Sequence, residues 1–494
     1  MPRGRAGVRG PFLLSRVECR SPIRVTGEMT IRSDDNLFER FAARTTALAE
    51  AWMPDAYVFA LTATAVVAVG AFVADPTVRD APWRIVDSWG DGFWSLIPFT
   101  LQMAMIIVGG YVLASAPPIF RMIAWMASKP RSAKGAVVLV ALVAMTSSLL
   151  NWGFSLIVSA ILARQVARRV PAADYRALGA SAFLGLGTVW AQGLSGSAAL
   201  QMARVSSMPA RLAEIVGRPI PLTETIFRWQ SLVAVGIEIL VVCAVAWLYA
   251  PGEGRGRSAA DLGIDLGPAA SPALPPPAGP GERLEQSPWL MAPFIALGAL
   301  YLVRSIVARS ETAADMLNAL DLNTVNLLLL TAGAVLHRTP ASMIRAVKEA
   351  TPATWGVLLQ FPFYGGIFGI MTGTALSAAI AGLFVHVATA TLYPAMIVSY
   401  SALLGIFVPS GGSKWVIEAP YVLQSARVLG VADGWVVVSY DLGEAIANLL
   451  QPFWMLPTLA LLGLKARDIM GYTYLVALVM FPLVLLLVTV LAPR

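Results

Sequence analysis

Long apolar stretches alternate along the chain with short polar segments that are rich in Lys and Arg. An α-helix needs about 20 apolar residues to cross the hydrocarbon core of a bilayer, and several stretches reach that length. The sequence predicts single spans near 56–74, 93–113, 229–250, 288–308, 322–337, 435–463 and 469–491. The pattern therefore predicts an all-α polytopic membrane protein with about 9–12 membrane segments.

Four other apolar segments do not fit a single straight span. Two of them, 136–163 and 353–391, are long enough to enter the membrane and return to the same face. The other two, 177–203 and 394–428, are interrupted near their middle by Gly, Ser and Pro. Because backbone groups in a membrane must be satisfied internally, such interruptions persist only where they face protein or a water-filled cavity.

Loop charges indicate that the segment 136–163 is a re-entrant hairpin. The preceding loop, 121–135, has four basic residues and no acidic one, and the following loop, 164–176, has four arginines and one aspartate. Cytoplasmic loops carry the excess of Lys and Arg, so both loops are predicted to be cytoplasmic. The tip of this hairpin is predicted near Asn151, Trp152 and Gly153.

The segment 353–391 is predicted to form a matching hairpin, with its tip between Phe361 and Gly366. The second predicted hairpin follows the first along the chain. The second break, near Ser410, follows the first, near Ser195, by nearly the same number of residues. This spacing predicts two repeat-related halves, each with a hairpin and a broken helix. Interrupted segments at corresponding positions of two halves are typical of a transporter's binding site.

A polar, Pro-rich segment without apolar periodicity separates the two halves and is predicted to be a disordered linker. Met29 is interpreted as the true start, so that residues 1–28 are an untranslated extension; a genuine disordered tail is the alternative. The predicted organisation is a cytoplasmic N-terminal segment 1–50, a first transmembrane half 51–250, the linker 251–287 and a second transmembrane half 288–494.

The breaks and the first hairpin tip supply the candidate substrate site. Half-helix ends at such breaks offer backbone N–H groups to an anion. The candidate substrate-binding residues are Asn151, Trp152, Gly153, Ser195, Gly196, Ser197, Ser410, Gly411, Gly412, Ser413, Lys414 and Trp415. The alternative is that the Gly and Pro residues only produce a kink that helps helices to pack.

Several motifs occur in an order that is specific to one known family. They are Trp89–Trp94, Asn151–Phe154, Ala167–Pro171, Ser195–Ser197, Asn323–Leu327, Gln360–Tyr364, Val408–Gly412, Gly443–Glu444, Asn448 and Gln451–Trp454. On these motifs the chain resembles the bacterial short-chain fatty acid transporters, part of a broader group of two-hairpin carriers. The resemblance implies a carrier of small monocarboxylates of the acetoacetate and butyrate class.

The chain departs from the family's pattern at the second break. It has Ser413 where the family has a third glycine, Lys414 where the family has Gln or His, and Glu418 where the family has an uncharged Gln. Lys414 and Glu418 are four residues apart and share one helical face, which predicts an ion pair. Two roles for Lys414 stay open: binding the substrate carboxylate, or neutralising Glu418.

Three polar residues of the predicted 435–463 span are the candidates for cation coupling: Asp441, Glu444 and Asn448. Ionisable residues within a span are functional candidates by default. Glu444 and Asn448 match the family's pattern and Asp441 does not, so Glu444 is interpreted as the proton carrier. The alternative for Glu444 is a structural hydrogen bond.

Composition agrees with a membrane protein and disfavours other classes. Of 494 residues, 57% are hydrophobic and 13% are charged, and the mean hydropathy is +0.69. Soluble domains carry roughly a quarter charged residues. The net charge of +7 comes from basic clusters between apolar runs, which is typical of membrane topology rather than nucleic-acid binding. Two cysteines and two histidines predict neither a disulfide framework nor a metal site.

The sequence therefore predicts a secondary active transporter in the bacterial cytoplasmic membrane, with a cytoplasmic N-terminus and a possible homodimeric state. It has no GxxxxGK[ST] nucleotide-binding motif, so a co-transported proton or sodium ion is expected to drive uptake, without a cofactor. The predicted partners are a small organic anion and the lipid bilayer, not nucleic acid. The alternatives are a di- or tricarboxylate carrier and, from another class, a membrane-embedded acyl-transfer enzyme, which the scarcity of His disfavours.

Overall fold

The computed structural model describes residues 37–52, 56–203, 217–252, 254–267, 274–307, 316, 322–376, 379, 389–407, 409 and 411–493, and these contain helices and no strand. Before the linker the helices are α1 (Leu37–Trp52), α2 (Ala56–Ala74), α3 (Pro76–Asp80), α4 (Trp83–Ser95), α5 (Ile97–Ser115), α6 (Pro117–Met126), α7 (Ala133–Leu150), α8 (Trp152–Arg169), α9 (Tyr175–Gly187), α10 (Ser197–Met202) and α11 (Trp229–Tyr249). From the linker onward they are α12 (Pro280–Glu285), α13 (Ala292–Ile306), α14 (Leu322–His337), α15 (Pro340–Ala350), α16 (Trp355–Gly373), α17 (Tyr393–Phe407), α18 (Gly411–Val428), α19 (Asp433–Leu450), α20 (Leu456–Leu462) and α21 (Ala466–Val490).

Two helices, α9 and α19, form the centre of the protein. Every residue of α9 is buried, and so is every residue of α19 from Gly434 to Leu449. Such all-round burial is expected of a helix in the core of a large or membrane-embedded protein. Helix α9 packs against α7, α8 and α19, and α19 also packs against α17 and α21. Because α9 and α19 come from opposite sides of the linker, the two halves of the chain share one core.

The outer helices expose apolar side chains over much of their length. On α11, for example, Leu232, Leu240 and Trp247 are exposed. Among the described residues, seven helices are long and apolar enough to cross a membrane, or up to eight when a bent pair is counted as one span. Three shorter apolar helices add to these: Ala60–Ala74, Asn323–His337 and Tyr393–Phe407. The prediction of an all-α polytopic membrane protein is confirmed, whereas the repeat relationship between its halves stays a prediction.

Two helices joined by a tight turn are present where the first hairpin is predicted, whereas its re-entry from one membrane face stays a prediction. Helices α7 and α8 meet at Asn151, whose side chain caps α8 by accepting from the Phe154 N–H at 2.9 Å. Across the tip, the Ser155 hydroxyl donates to the Ala144 carbonyl at 2.7 Å. This contact between the two arms shows that they run antiparallel, so the two basic loops that flank the hairpin lie at the same end of the protein.

The tip predicted for the second hairpin is wrong. Helix α16 continues through this region without a break and contains Pro362. A Cβ added at Gly366 would overlap Trp89, and one added at Gly369 would overlap the Ser88 carbonyl, both on α4. The glycines therefore allow two helices to approach closely, instead of turning the chain. Most of the remainder of the predicted hairpin, 377–388, lies outside the described residues.

The prediction of one straight span over 435–463 is also wrong. Helix α19 ends at Leu450, and the chain resumes as a 3-10 turn and α20, bent by 74° from α19. Pro452 lies in this bend. Proline has no N–H with which to continue the helical hydrogen bonds, so a bend at this position has a direct local cause.

The part of the linker from 254 to 267 is folded, which corrects the prediction of disorder for these residues. The Arg257 carbonyl accepts from the Tyr175 N–H at 2.8 Å, and the Arg257 N–H donates to the Asp174 carboxylate at 2.9 Å. The Arg164 guanidinium donates to the Leu266 carbonyl and, at 3.3 Å, to the Leu461 carbonyl near the end of α20. These contacts hold the folded part of the linker and the 164–176 loop at one end of the protein.

The segment 75–92, between the predicted spans 56–74 and 93–113, is largely helical. It contains α3 and most of α4. The Asp75 carboxylate caps α3 by accepting from the Thr77 N–H at 2.9 Å, and it also accepts from the Ala375 N–H at 2.9 Å. The hydrogen bonds from Thr77 and from Ala375 hold the pKa of Asp75 below its ordinary value.

Candidate substrate and cation site

The two predicted helix breaks are present. In the first, α9 ends at Gly187 and α10 begins at Ser197, with a short 3-10 turn at Trp190–Gln192 between them. In the second, α17 ends at Phe407 and α18 begins at Gly411. Ser410 lies outside the described residues, and Ser413 lies within the first turn of α18.

The first break is joined to the hairpin tip by backbone and hydroxyl groups. The Leu194 N–H donates to the Leu149 carbonyl at 2.7 Å, and the Ser195 hydroxyl accepts from the Trp152 N–H at 3.1 Å. A Cβ added at Gly193 would lie 2.5 Å from the Leu149 backbone, so only glycine permits this approach. Helix ends leave backbone groups without intrahelical partners. Here such groups of the first break and of the hairpin tip form hydrogen bonds with each other.

The tip itself is fixed by packing on both sides. A Cβ added at Gly153 would lie 2.7 Å from Ile106 on α5, and the Trp152 ring packs edge-on against Trp454 with a centroid distance of 4.9 Å. Trp454 belongs to the 3-10 turn at the bend after α19. The hairpin tip, the first break and the bend therefore meet at one place.

Asp441 caps the short helix α10 after the first break. Its carboxylate oxygens accept from the N–H groups of Ala198 and Ala199, each at 3.2 Å. A carboxylate at a helix N-terminus satisfies free donors and interacts favourably with the helix dipole. A Cβ at Gly196 would overlap the Ala191 carbonyl, so this glycine is required for the tight turn into α10. The protein's own carboxylate thus occupies the end of α10.

The two breaks face each other. A Cβ added at Gly412 would lie 2.7 Å from the Gln201 amide nitrogen and 3.5 Å from the Ser197 Cβ. A Cβ added at Gly411 would lie 3.0 Å from the Glu444 Cγ and 3.6 Å from the Ser197 Cβ. Sequence reasoning placed Ser197, Gly411 and Gly412 in one site but missed Gln201. The signal was available, because Gln201 follows Ser197 by four residues and shares its helical face.

Lys414 and Glu444 form a buried ion pair beside this site. The Lys414 Nζ lies 2.5 Å from the Glu444 carboxylate, and the two side chains are 3% and 1% exposed. The ammonium also donates to the Ser401 carbonyl at 2.9 Å and to the Ser401 hydroxyl at 3.3 Å. A Lys ammonium has three donors and no acceptor, and these three oxygens satisfy it.

The predicted ion pair between Lys414 and Glu418 is therefore wrong. Spacing along one helix permits a pair but does not require it, and the carboxylate of Glu444 on α19 reaches the ammonium from the neighbouring helix. A buried charge needs both a counter-ion and further hydrogen bonds. Glu444 together with Ser401 supplies both, which Glu418 alone would not. Sequence reasoning missed Ser401, for which the sequence carries no motif.

Several buried polar atoms around the breaks have no hydrogen-bond partner among the described residues. They are Trp190 Nε1, Gln192 Oε1, Gln201 Oε1, Glu238 Oε2, Trp415 Nε1 and Glu444 Oε1. Buried polar groups in folded proteins are nearly always hydrogen-bonded, to protein or to ordered water. The unsatisfied atoms near the breaks are therefore positions where water or a polar ligand can bind.

Asn448 links the end of α9 to the bend after α19. Its amide donates to the Leu186 carbonyl at 3.3 Å, and its oxygen accepts from the Gln451 amide at 3.1 Å. Gln451 in turn accepts from the Phe453 N–H at 2.6 Å. These contacts satisfy a carbonyl that the first break leaves without an intrahelical partner.

A second buried carboxylate, Glu238 on α11, contacts the first break. The Gln192 amide donates to it at 2.9 Å. No local motif in the sequence indicates this contact. Trp415 completes the set of predicted residues: it is fully buried and packs against Tyr440 at a centroid distance of 4.6 Å.

Comparison with known proteins identifies similar chains. A family model described as "Short chain fatty acid transporter" matches residues 37–492. The chain is 38% identical over 426 residues to a protein from Escherichia coli (strain K12), covering 85% of this chain and 92% of that protein. It is 34% identical over 440 residues to a protein from Haemophilus influenzae, covering 88% and 96% respectively. Both proteins are named "Putative short-chain fatty acid transporter".

Two solved structures are also similar. One is the crystal structure of the Alcanivorax borkumensis YdaH transporter, with 16% identity, a TM-score of 0.45, and coverage of 91% of this chain and 100% of that one. The other is Neisseria gonorrhoeae MtrF, described with a class of antimetabolite efflux pumps, with 16% identity, a TM-score of 0.44, and coverage of 90% and 97%.

Proposed function

The chain belongs to the short-chain fatty acid transporter family, and on this premise we propose that it is a secondary active transporter of short-chain fatty acids and related small monocarboxylates. The observation that carries the assignment of its site is the meeting of two broken helices at Ser197 and at Gly411–Gly412, beside buried Glu444. In this proposal the protein lies in the bacterial cytoplasmic membrane with its basic loops on the cytoplasmic side.

The substrate carboxylate binds at the N-terminal end of α18. The positive end of a helix dipole favours an anion, and glycines allow a ligand to approach the backbone closely. Asp441 already caps α10, so the α18 end is the one assigned to the substrate. Ser197 and Gln201 on α10 face this end and supply a hydroxyl and an amide.

The charge of the site favours one carboxylate over two. Lys414 is a buried cation in the first turn of α18 at the second break, and Glu444 neutralises it at 2.5 Å. A second carboxylate of the substrate would then be desolvated without a counter-ion, which is costly. This charge balance supports a monocarboxylate rather than a di- or tricarboxylate.

Transport of an anion into a cell against a negative interior needs energy from a co-transported cation. Glu444 is the proposed coupling residue, because it is a buried carboxylate that contacts both the second break and Lys414. Asn448 and Asp441 support the elements around it.

Uptake into proteoliposomes tests this function. Purified protein is reconstituted, and uptake of labelled butyrate, acetoacetate and succinate is measured with and without a proton or sodium gradient. The expected result is accumulation of the two monocarboxylates and little accumulation of succinate. Protein-free liposomes are the control. Preferential uptake of succinate would contradict the assignment and favour a dicarboxylate carrier.

A further inference from the structure

The Lys414 ammonium is held by three oxygen atoms of three chemical kinds. They are the Ser401 carbonyl at 2.9 Å, the Ser401 hydroxyl at 3.3 Å and the Glu444 carboxylate at 2.5 Å. Carbonyl, hydroxyl and carboxylate oxygens are the ligands that hard metal cations take in proteins. In transporters, unwound backbone carbonyls and half-helix C-terminal ends coordinate the co-transported sodium ion. Ser401 lies six residues before the end of α17 at the second break. The surroundings of this ammonium are therefore also suited to a free monovalent cation.

The backbone around this position is packed so closely that it has little room for other side chains. A Cβ added at Gly405 would lie 2.9 Å from the Glu444 carboxylate and 3.4 Å from the Lys414 Nζ. A Cβ added at Gly443 would lie 2.7 Å from the Ser401 Cβ. The two glycines bring α17 and α19 together where their oxygens surround the ammonium. The face of the Tyr440 ring, 5.0 Å from the Nζ, adds a further cation-binding surface.

We propose that the Lys414 ammonium is a tethered cation that occupies a sodium-type site, so that this chain transports its substrate without sodium. The inference rests on the proposed transport function and specifies its ion requirement. Lys414 is the residue on which this ion requirement depends. With an uncharged residue there, the oxygens of Ser401 and Glu444 would be left for a free cation.

Thermal unfolding of the purified protein tests the cation site without using transport. Wild type, Lys414→Gln and Lys414→Gln with Glu444→Gln are compared in sodium chloride and in choline chloride of equal ionic strength. Wild type should unfold at the same temperature in both salts. Lys414→Gln should be stabilised by sodium specifically, with a Tm shift of about 2 °C or more near saturation. The double variant lacks the carboxylate ligand and should lose this response.

Glu418→Gln is the matched control, because it removes a neighbouring buried carboxylate and leaves the three oxygens around Lys414 unchanged. It should respond to salt as wild type does. If Lys414→Gln folds only in sodium, its stability depends fully on sodium, and this outcome also supports the inference. A sodium-specific stabilisation of wild type would overturn the inference. So would a Lys414→Gln protein that is folded but does not respond, or that folds in neither salt.

Uptake then separates this inference from the proposed function. Wild type should take up butyrate at the same rate with and without sodium, and Lys414→Gln should require sodium. Wild-type uptake that depends on sodium would overturn the tethered-cation inference while supporting carboxylate transport. Failure of wild type to take up any carboxylate in either medium would instead count against the proposed function, and the unfolding data would still decide the cation site.

Discussion

The two helix breaks meet at one site but are stabilised by different chemistry. The first is closed by uncharged backbone and hydroxyl contacts to the hairpin tip, such as those of Leu194 and Ser195, and its short helix α10 is capped by Asp441. The second is flanked by a buried ion pair between Lys414 and Glu444. The carboxylates at the first break, Asp441 and Glu238, accept hydrogen bonds from uncharged groups of the protein, as expected of a scaffold. Only the second break carries a buried ion pair, which a transport cycle can use.

The difference has an energetic consequence. Loss of one neutral hydrogen bond costs roughly 0.5–1.5 kcal/mol. Removal of one partner of a buried ion pair costs about 3–5 kcal/mol, because the other charge is left uncompensated. Substitutions at the second break should therefore have larger effects than those at the first.

The largest effect is expected for the ion pair. In sodium-free buffer, Lys414→Gln should lower stability by about 3–5 kcal/mol, because Glu444 is left charged and buried without a counter-ion. Adding Glu444→Gln should recover much of the loss, whereas adding Glu418→Gln should recover little. Thermal or denaturant unfolding of the single and double variants gives the coupling energy of each pair. A coupling with Glu418 as large as that with Glu444 would mean that the ammonium has a different partner.

A smaller effect is expected for the glycines of the second break. Gly412→Val would bring a branched side chain against Gln201, and overpacking of this kind costs about 1–3 kcal/mol. If this cost falls on the substrate-bound arrangement, uptake should fall roughly 5- to 150-fold, at 1.4 kcal/mol per tenfold. Gly236→Val is the matched control, because a Cβ at Gly236 on α11 meets no atom within 4 Å. Uptake by Gly412→Val at the wild-type rate would contradict the binding of the substrate at this end of α18.

The cap of α10 should matter less. Asp441→Asn keeps one oxygen acceptor but points an amide N–H group toward the second backbone donor, so it should cost about 1–2 kcal/mol. Because both partners of this contact belong to the protein, we expect reduced stability with substrate counterflow largely retained. Counterflow and unfolding are measured on the same preparation. Loss of counterflow in a variant of wild-type stability would show that Asp441 takes part in transport directly.

Breaks and turns of the first half could be predicted because their causes are local. Asn151 caps α8 through a residue only three positions away. Gly193 and Ser195 interrupt an apolar run that follows the basic 164–176 loop. The tip predicted between Phe361 and Gly366 was wrong for a reason that the sequence does not contain. The sequence alone does not distinguish a glycine at a chain turn from a glycine that leaves room for Trp89 of another helix.

The partner of Lys414 could not be predicted from the sequence for a similar reason. Lys414 and Glu418 are neighbours on one helix, and their spacing is visible in the sequence. The actual partner, Glu444, lies thirty residues further on, across an interface between α18 and α19 that only the folded chain defines. Ser401 contacts the ammonium through its backbone carbonyl, which every residue has, and through a hydroxyl that no sequence motif marks. The sequence therefore indicated which residues are unusual but not which of them meet.

The smallest effect is expected at the first break, and it tests the division between the two breaks most directly. Ser195→Ala removes the acceptor of the Trp152 N–H, a neutral contact worth roughly 0.5–1.5 kcal/mol. The start of α8 keeps its cap from Asn151, so the hairpin should stay folded and uptake should stay near the wild-type rate. Asn151→Ala removes that cap instead and should cost about 1 kcal/mol, again with most uptake retained. Both variants are measured beside Gly412→Val for stability and for butyrate uptake. If Ser195→Ala keeps wild-type stability but loses as much uptake as Gly412→Val, the Ser195 hydroxyl binds substrate, and the part of the first break that precedes α10 belongs to the binding site rather than to its scaffold.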